Sequence, residues 1–449
     1  MTKDLTVGNP IKAIVIMTLP IMAGNLFQQM YSIVDTIIVG RLLGSGALAA
    51  VGSTASLYYL ILWFLNGLSN GYSIVVAKDF GAGRVDRLRR DVCMAFELCA
   101  AVTIILSVVW LVFLNRFLIF MNTPAEILQN SYAYICVIIA GMVITILYNI
   151  CASILRAMGD SKTPLYFLII SSVLNIFLDI AFIAGFHMGV AGAAIATILS
   201  QAVSGVMCFV YMYSKFEIIR FSRSDWKFDP ECAKEMLSYG IPSGLNGAAT
   251  ALGILILQFA INCYGTNVIA GYTSAIKVQN FAEIPLFAYC MTMINFEGQN
   301  LGAGKPRNMR KGFFQCIGLG LATAAVLGIL LFFFGSDFAS VFVDDGASAE
   351  VINFAGNYLR FAAPFFLPYS ILLITRSSLQ GMGDKAAPLI NGIIETIART
   401  VFSFYLIHNI NERVLSMVNP IIWAISAVAL SIMFVRRWSI IKRTMPMES

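Results

Sequence analysis

The chain has 449 residues, of which 59% are hydrophobic and only 12% charged, and its mean hydropathy is +0.80. A water-soluble chain of this length carries roughly twice that charged fraction, about 25%, so lipid rather than water surrounds most of its side chains. The net charge of +6 comes without the basic, aromatic-interleaved stripe of a nucleic-acid reader, and no nucleic-acid partner is expected.

Apolar blocks of about 20 residues, the length that crosses the hydrocarbon core, predict helical spans near 12–40, 47–75, 92–120, 131–155, 164–186 and 190–213. A polar linker follows over 214–235, and then a second set of spans near 236–263, 267–298, 312–335, 351–375, 386–408 and 415–437. The first two spans of each set are overlong, which predicts tilting, bending or extension beyond the bilayer. The first apolar stretch, from Ile11 onward, far exceeds the core of about 7–15 residues in a cleavable signal and reads as a span. The nine cysteines are scattered, mostly within spans, and form no Cys-x-x-Cys pair; they read as small apolar residues. His187 and His408 have no partner at metal-ligand spacing, so no structural metal and no cofactor are expected.

Lys and Arg collect in cytoplasmic loops. With a cytoplasmic N-terminus the inside segments (Lys3 and Lys12, Lys78 to Arg90, Arg156 and Lys162, Lys215 to Lys234, Lys305 to Lys311, Arg376 and Lys385, Arg436 to Arg443) hold 24 of the 30 basic residues. The loop near 337–350 carries Asp337, Asp344, Asp345 and Glu350 with no basic residue, as an outside loop does. Both termini are therefore predicted inside a cell (plasma or inner) membrane crossed many times.

The chain repeats itself. Leu19-Pro20 recurs as Ile241-Pro242, an offset of 222, and Phe80-Gly81-Ala82-Gly83-Arg84 recurs as Leu301-Gly302-Ala303-Gly304-Lys305, an offset of 221. Met158-Gly159-Asp160 recurs as Met382-Gly383-Asp384, and Pro164 as Pro388, both at 224. Each half has an even number of spans, so both enter the membrane in the same orientation and the repeat axis lies along the membrane normal. The predicted fold is an all-α membrane protein: twelve transmembrane helices in two six-helix bundles related by a pseudo-two-fold axis. The expected division is an N-lobe over 1–213, a linker over 214–235 and a C-lobe over 236–449. Two such lobes imply alternating access.

The nearest approach to a phosphate-binding loop, Gly298 to Pro306, has Gln299 where a Walker loop needs glycine, and Pro306 where it needs Ser or Thr. The Gly-Ala-Gly segments therefore read as turns after helix ends, and the carrier as one driven by an ion gradient.

Ionisable groups inside spans cost roughly 2.5–3.5 kcal/mol each on insertion scales and are functional candidates by default. Asp35 and Asp179 both fall roughly 10 Å below the outer surface at 1.5 Å per residue, and neither has a basic residue one turn away. Asn175 and Asp179 share a helix face, as do Thr197 and Gln201; Gln28, Tyr31 and Asp35 form another polar stripe. Two carboxylates, an amide and a hydroxyl can hold a monovalent cation such as Na+, or one desolvated carboxyl can carry a proton. At the repeat offsets Asp35 maps to Leu257, Asp179 to Ser403 and Asn175 to Arg399, so the acid chemistry belongs to the first half alone. Glu395 and Arg399, at i and i+4, read as a structural pair, and Glu97 as snorkelling. Glu283 is the remaining candidate, placed with Gln28, Tyr31 and Gln201 along a substrate cavity. Pro20, inside the first span, predicts a kink and a hinge.

These landmarks together (Leu19-Pro20, Val34-Asp35-Thr36 with Gly40-Arg41, the twinned Gly-Ala-Gly loops, Arg156-x-x-Gly159-Asp160 with Pro164, and Asn175-x-x-x-Asp179) resemble the multidrug and toxic compound extrusion (MATE) family, and the resemblance covers essentially the whole chain. It implies export of organic cations and amphipathic drugs in exchange for H+ or Na+. In its DinF-type branch the coupling residues match Asp35, Asn175, Asp179 and Thr197, and the bending proline matches Pro20. Spans 7 and 10 lack the acids of the other main branch. The resemblance implies neutralisation of the carboxylates, bending at Pro20 and expulsion of substrate by a monomeric carrier. The rival readings are a lipid-linked sugar flippase of the same superfamily, a passive channel and a membrane-embedded enzyme. The twelve spans with few basic residues within them, the duplicated halves, and the absence of a His, Asp or nucleophile cluster disfavour them in turn.

Overall fold

The computed structural model describes residues 4–343 and 348–445; Lys3, Asp344 and Asp345 of the loop-charge reading lie outside the described residues. All regular elements among the described residues are helical. The first half contains α1 (Pro10–Gly81), α2 (Val85–Phe120), α3 (Ala125–Ala140), α4 (Met142–Ala157), α5 (Lys162–Ile180) and α6 (Gly189–Lys215). The second contains α7 (Pro230–Ile261), α8 (Thr266–Gly302), α9 (Pro306–Ser340), α10 (Ala349–Ala362), α11 (Phe366–Gly381), α12 (Ala387–His408) and α13 (Glu412–Thr444).

Breaks in these helices follow their sequences. The 72-residue α1 is interrupted only at Gly44, at φ 82° and ψ 179°, a conformation that glycine alone adopts without strain. The expected first two spans are thus two helices that meet at a one-residue kink, with no loop over the expected gap at 41–46. The fourth span bends by 46° at Gly141, between α3 and α4. A Cβ at Gly141 would lie 2.5 Å from Ile198 Cδ1, so the bend carries the chain against α6. The tenth span breaks at a 3-10 turn, Ala363–Phe365, that contains Pro364, which can donate no helix hydrogen bond. Nine described helices are long and apolar enough to cross a membrane, and ten if α3 and α4 form one span. Counting two crossings in α1 and adding the 37-residue α8 restores the twelve.

The repeated motifs are helix stops built alike. Gly83 and Gly304 adopt φ of 67° and 65°, and Gly159 and Gly383 adopt 83° and 81°. Each lets the next N–H reach back to the preceding helix: Arg84 to the Asp79 carbonyl at 3.1 Å, Lys305 to Asn300 at 2.9 Å, Asp160 to Leu155 at 2.8 Å, Asp384 to Leu379 at 2.9 Å. This is the glycine-terminated stop expected after a helix. Asp160 Oδ1 and Asp384 Oδ1 then each accept from two backbone N–H groups opening the next helix.

The chain packs as two compact units, and their borders differ from the expected lobes. One contains Ala23–Gly244; the other contains Leu5–Met22 together with Leu245 onward. Each exchange falls two residues after a twin proline, Pro20 in α1 and Pro242 in α7. Packing explains both. Leu5, Ile14, Met17 and Ile21 belong to the apolar core that includes Leu286, Met293 and Phe296, and Thr18 Oγ1 lies 2.9 Å from Thr292 Oγ1. In the first unit, Gly67 and Gly71 of α1 meet Gly240 and Gly244 of α7 backbone to backbone. A Cβ at Gly71 would lie 2.5 Å from Gly240 Cα, and one at Gly67 2.7 Å from Gly244 Cα. Two small-xxx-small faces thus let the helices touch.

Charges reinforce that crossing. Lys78 Nζ donates to Glu235 Oε1 at 2.8 Å, and Arg87 bridges Glu235 and Asp79. Arg84 also pairs with Asp79, which is 1% exposed. Cys232 Sγ, on α7, donates to Asp91 Oδ1 at 3.1 Å. The linker and the start of α7 are thereby fastened to the first unit.

Candidate functional site

The first unit gathers a polar group from α1, α5 and α6. The inner face of α5 is a run of short polar side chains (Ser171, Ser172, Asn175 and Asp179), all buried. It packs on the small-residue face of α6, where Gly192, Ala193, Ala194 and Ala196 are buried, and Ser171 Oγ donates to the Ser200 carbonyl at 2.8 Å. Small residues bring the two backbones close enough for short side chains to bridge them. With its amide oriented to suit its neighbours, Asn175 donates to Asp179 Oδ2 at 2.8 Å and accepts from the Thr197 N–H at 3.2 Å. Asn175 therefore fixes the rotamer of Asp179 and ties it to α6. Just past Asp179 the helix widens into a π turn, Ala181–Gly185, a distortion frequent at functional sites.

Asp35 of α1 completes the group. Its carboxyl lies within hydrogen-bonding reach of the Asp179 carboxyl, and the Tyr31 phenol lies beside Asp35 and Thr197. Two carboxylates in such contact satisfy one another only through a shared proton or a bound cation. Without one, Asp35 Oδ1 and Asp179 Oδ1 are enclosed with no donor. Among the described residues no Lys or Arg forms an ion pair with either. The carboxylate, amide and hydroxyl oxygens are hard donors of the kind a small monovalent cation takes, and the enclosed carboxyl oxygens supply the negative charge such an ion needs. The residues present fit Na+ as well as a proton.

Tyr31, Asp35, Asn175, Asp179 and Thr197 are thus brought together as the sequence suggested. Two further residues join them: Tyr58, from the second part of α1, and Tyr134 of α3, both of which lie in the field of Asp35. Both escape a sequence reading because a tyrosine within an apolar span reads as an interfacial anchor; the position of Tyr58 near the middle of its predicted span was the available signal, whereas Tyr134, near the edge of its own, offered none. Gln28 is exposed on α1, and Gln201 keeps its Oε1 enclosed without a partner.

Pro20 and Glu283 lie in the other unit. Glu283 accepts from Gln279 at 2.7 Å and from the Tyr369 hydroxyl at 3.0 Å. Tyr358 and Asn419 extend the chain of bonds. At 8% exposure, with both oxygens bonded, Glu283 has the surroundings of a satisfied internal network rather than a cavity wall. The twin positions of the acid group carry other chemistry: Leu257 is apolar and buried, and Arg399 pairs with Glu395 at 3.2 Å. Asn391 and Thr250 also bond Glu395, so its carboxylate is well satisfied, while Arg399 Nε is enclosed without a partner among the described residues.

Comparison with known proteins gives the same twofold picture. The MatE family model matches twice, over residues 20–181 and 242–405. The probable multidrug resistance protein YpnP of Bacillus subtilis is 28% identical over 366 residues, covering 82% of this chain and 81% of that protein. The multidrug export protein MepA of Staphylococcus aureus is 23% identical over 386 residues, covering 86% and 84%. A crystal structure of a MATE protein in a bent conformation superposes with a TM-score of 0.91 at 24% identity, covering 99% of both chains, which establishes the fold. The two matches begin at Pro20 and Pro242, two residues before each change of unit, and together they span well over half of the chain's length: the chain belongs to the MatE family, the multidrug and toxic compound extrusion transporters.

Proposed function

We propose that this protein is a secondary antiporter that exports organic cations and amphipathic drugs in exchange for H+ or Na+ by alternating access. Asp35, Asn175, Asp179 and Thr197 form its ion site and Pro20 its hinge. One observation carries the reading: two carboxyl groups in contact, without a basic partner among the described residues, in one of two otherwise matching halves. Such a pair is stable when a cation neutralises it and repels itself when none does, so its occupancy changes the force between α1 and α5. The names of its relatives support drugs as substrates, and the loop charges support a plasma-membrane protein with both termini inside. Neutralisation relaxes α1 toward α5, bending at Pro20 narrows the cavity, and substrate leaves outward. Tyr31 and Tyr134 lie in the field of Asp35 and respond to its change of charge.

The test is export of a fluorescent organic cation from proteoliposomes, with pH and sodium gradients imposed separately. Export driven by one gradient and abolished in Asp35→Asn is the expected result. Export that survives fully in Asp35→Asn refutes the coupling role, and flux without either gradient indicates a channel.

A further inference from the structure

The second unit holds a carboxyl group that no step above uses. Glu297, on α8, is 0% exposed, and among the described residues neither of its oxygens has a hydrogen-bond partner. Among the described residues no Lys or Arg forms an ion pair with it. The titratable neighbour is the thiol of Cys316 on α9, while α11 presents the backbone of Gly381, where a Cβ would lie 2.7 Å from the Glu297 Cβ. A carboxylate with no donor and no countercharge is not stable in such a place; the neutral acid is. Packing does not demand an acid there. At the repeat offsets Glu297 corresponds to Val76 and Gly381 to Ala157, both buried and apolar.

Its position on the helix matters. Asn300 lies one turn further along the same face, and this end of α8 receives the segment that precedes α1. Leu5 N–H donates to Gln299 Oε1 at 2.9 Å, and Asn300 Nδ2 donates to the Leu5 carbonyl at 3.3 Å. Lys305 Nζ and Asn308 Nδ2 donate to the Thr6 carbonyl at 2.9 and 3.0 Å. Leu5 and Thr6 are 3% and 5% exposed in this dock. They thereby cover the end of α8 that begins one turn past Glu297.

We propose that Glu297 is a second proton-carrying group of this transporter, holding its proton while Leu5 and Thr6 are docked and releasing it to the cytoplasm when they lift. The direction and the side rest on the proposed antiport reading; the dock itself does not. The proton is conserved: it leaves the neutral carboxyl for cytoplasmic water and returns when the segment re-docks. Because release accompanies lifting, high pH favours the lifted form.

The test is labelling of Thr6→Cys by a membrane-impermeant maleimide across pH 6 to 9, in the full-length protein with the exposed Cys263 replaced by Ser. Val7→Cys, exposed in the docked form, corrects for the reagent's own pH dependence. The corrected rate should rise with pH, with a slope of at most about tenfold per unit for one proton, and the slope should vanish in Glu297→Gln. Glu297→Met, matched to the apolar surroundings, serves if the glutamine variant fails to fold. A pH-independent rate in the parent protein, or an unchanged slope in both variants, overturns the proposal. The two readings fail separately. If Asp35→Asn keeps full export while the slope still depends on Glu297, the coupling role of Asp35 falls and the Glu297 site stands. If export depends on Asp35 and the slope ignores Glu297, only this proposal falls.

Discussion

The contact of Gly67 and Gly71 with Gly240 and Gly244 makes a strong prediction about stability. In Gly71→Ala the new methyl would sit 2.5 Å from Gly240 Cα and 2.7 Å from Gly240 N and the Tyr239 carbonyl oxygen. All three are backbone atoms that no rotamer change can move. The shortfall from ordinary contact is about 1 Å, so α1 and α7 must separate along the crossing, and overpacking of this kind costs about 1–3 kcal/mol. Better helix propensity returns up to about 1 kcal/mol of that, leaving a net loss of about 1–2 kcal/mol. Gly52→Ala is the control. It lies in the same helix with nothing within 4 Å of its new Cβ, so only the propensity gain applies, and it should be neutral or stabilising. The assay is thermal unfolding of the purified protein in detergent, where 1 kcal/mol moves the midpoint by about 2–4 °C for a unit of 150–250 residues. The double variant Gly67→Ala/Gly71→Ala should cost less than the sum, because helices already parted for one methyl admit the second. A Gly71→Ala protein that melts with or above Gly52→Ala refutes the close crossing.

Other consequences follow from named contacts. Asn175→Ala removes the group that fixes Asp179 and links it to α6; gradient-driven export should fall at least about tenfold, the effect of losing a hydrogen bond to a charged group, with the amount of folded protein unchanged. Glu395→Gln strands the buried guanidinium of Arg399 and should cost about 3–5 kcal/mol, whereas Glu395→Gln/Arg399→Met should recover most of that loss in the same melting assay. Asp79→Asn loosens the Arg84 and Arg87 clamp at the start of α7. Since both arginines are over 40% exposed, screening limits the loss to about 1 kcal/mol, and the variant should be less sensitive than the parent to added salt.

Much of this architecture is legible in the sequence because membrane helices are written in length and apolarity, and turns in glycine. The twin Gly-Ala-Gly and Met-Gly-Asp segments mark helix stops, and the structure places all four glycines at positive φ. Asn175 and Asp179 at i and i+4 announced a shared face. Three things were not legible. A one-residue kink at Gly44 leaves no polar loop, so the abruptness of the junction between the first two spans is not written in composition. The exchange of Leu5–Met22 and the start of α7 between units depends on which faces pack, and apolarity all around a membrane helix hides its packing face. Glu297 lies beside the Gly-Ala-Gly turn, where a sequence reading takes any charge to be solvated; only burial distinguishes it from Lys305 eight residues on.

The paired exchanges explain how two halves with a common plan can work unequally. Each first helix is divided by a proline, and in each the stretch before the proline packs into the unit that holds the other half's helices. In the first unit that stretch is gripped by backbone contact between glycines and by Lys78, Arg87, Asp79 and Glu235. In the second, the equivalent stretch is held by Ile14, Met17 and Ile21 in the apolar core, by the Thr18–Thr292 hydroxyl pair, and by side chains bonding the backbone of Leu5 and Thr6. Close helix contact yields only at the cost of many dispersion contacts at once, whereas hydrogen bonds at a helix end exchange for water one at a time. Leu5 and Thr6, held mainly through their backbone, are therefore the part of this stretch easiest to release. They precede the helix that carries Asp35, so the helix bearing that carboxylate begins at hydrogen bonds that water can replace.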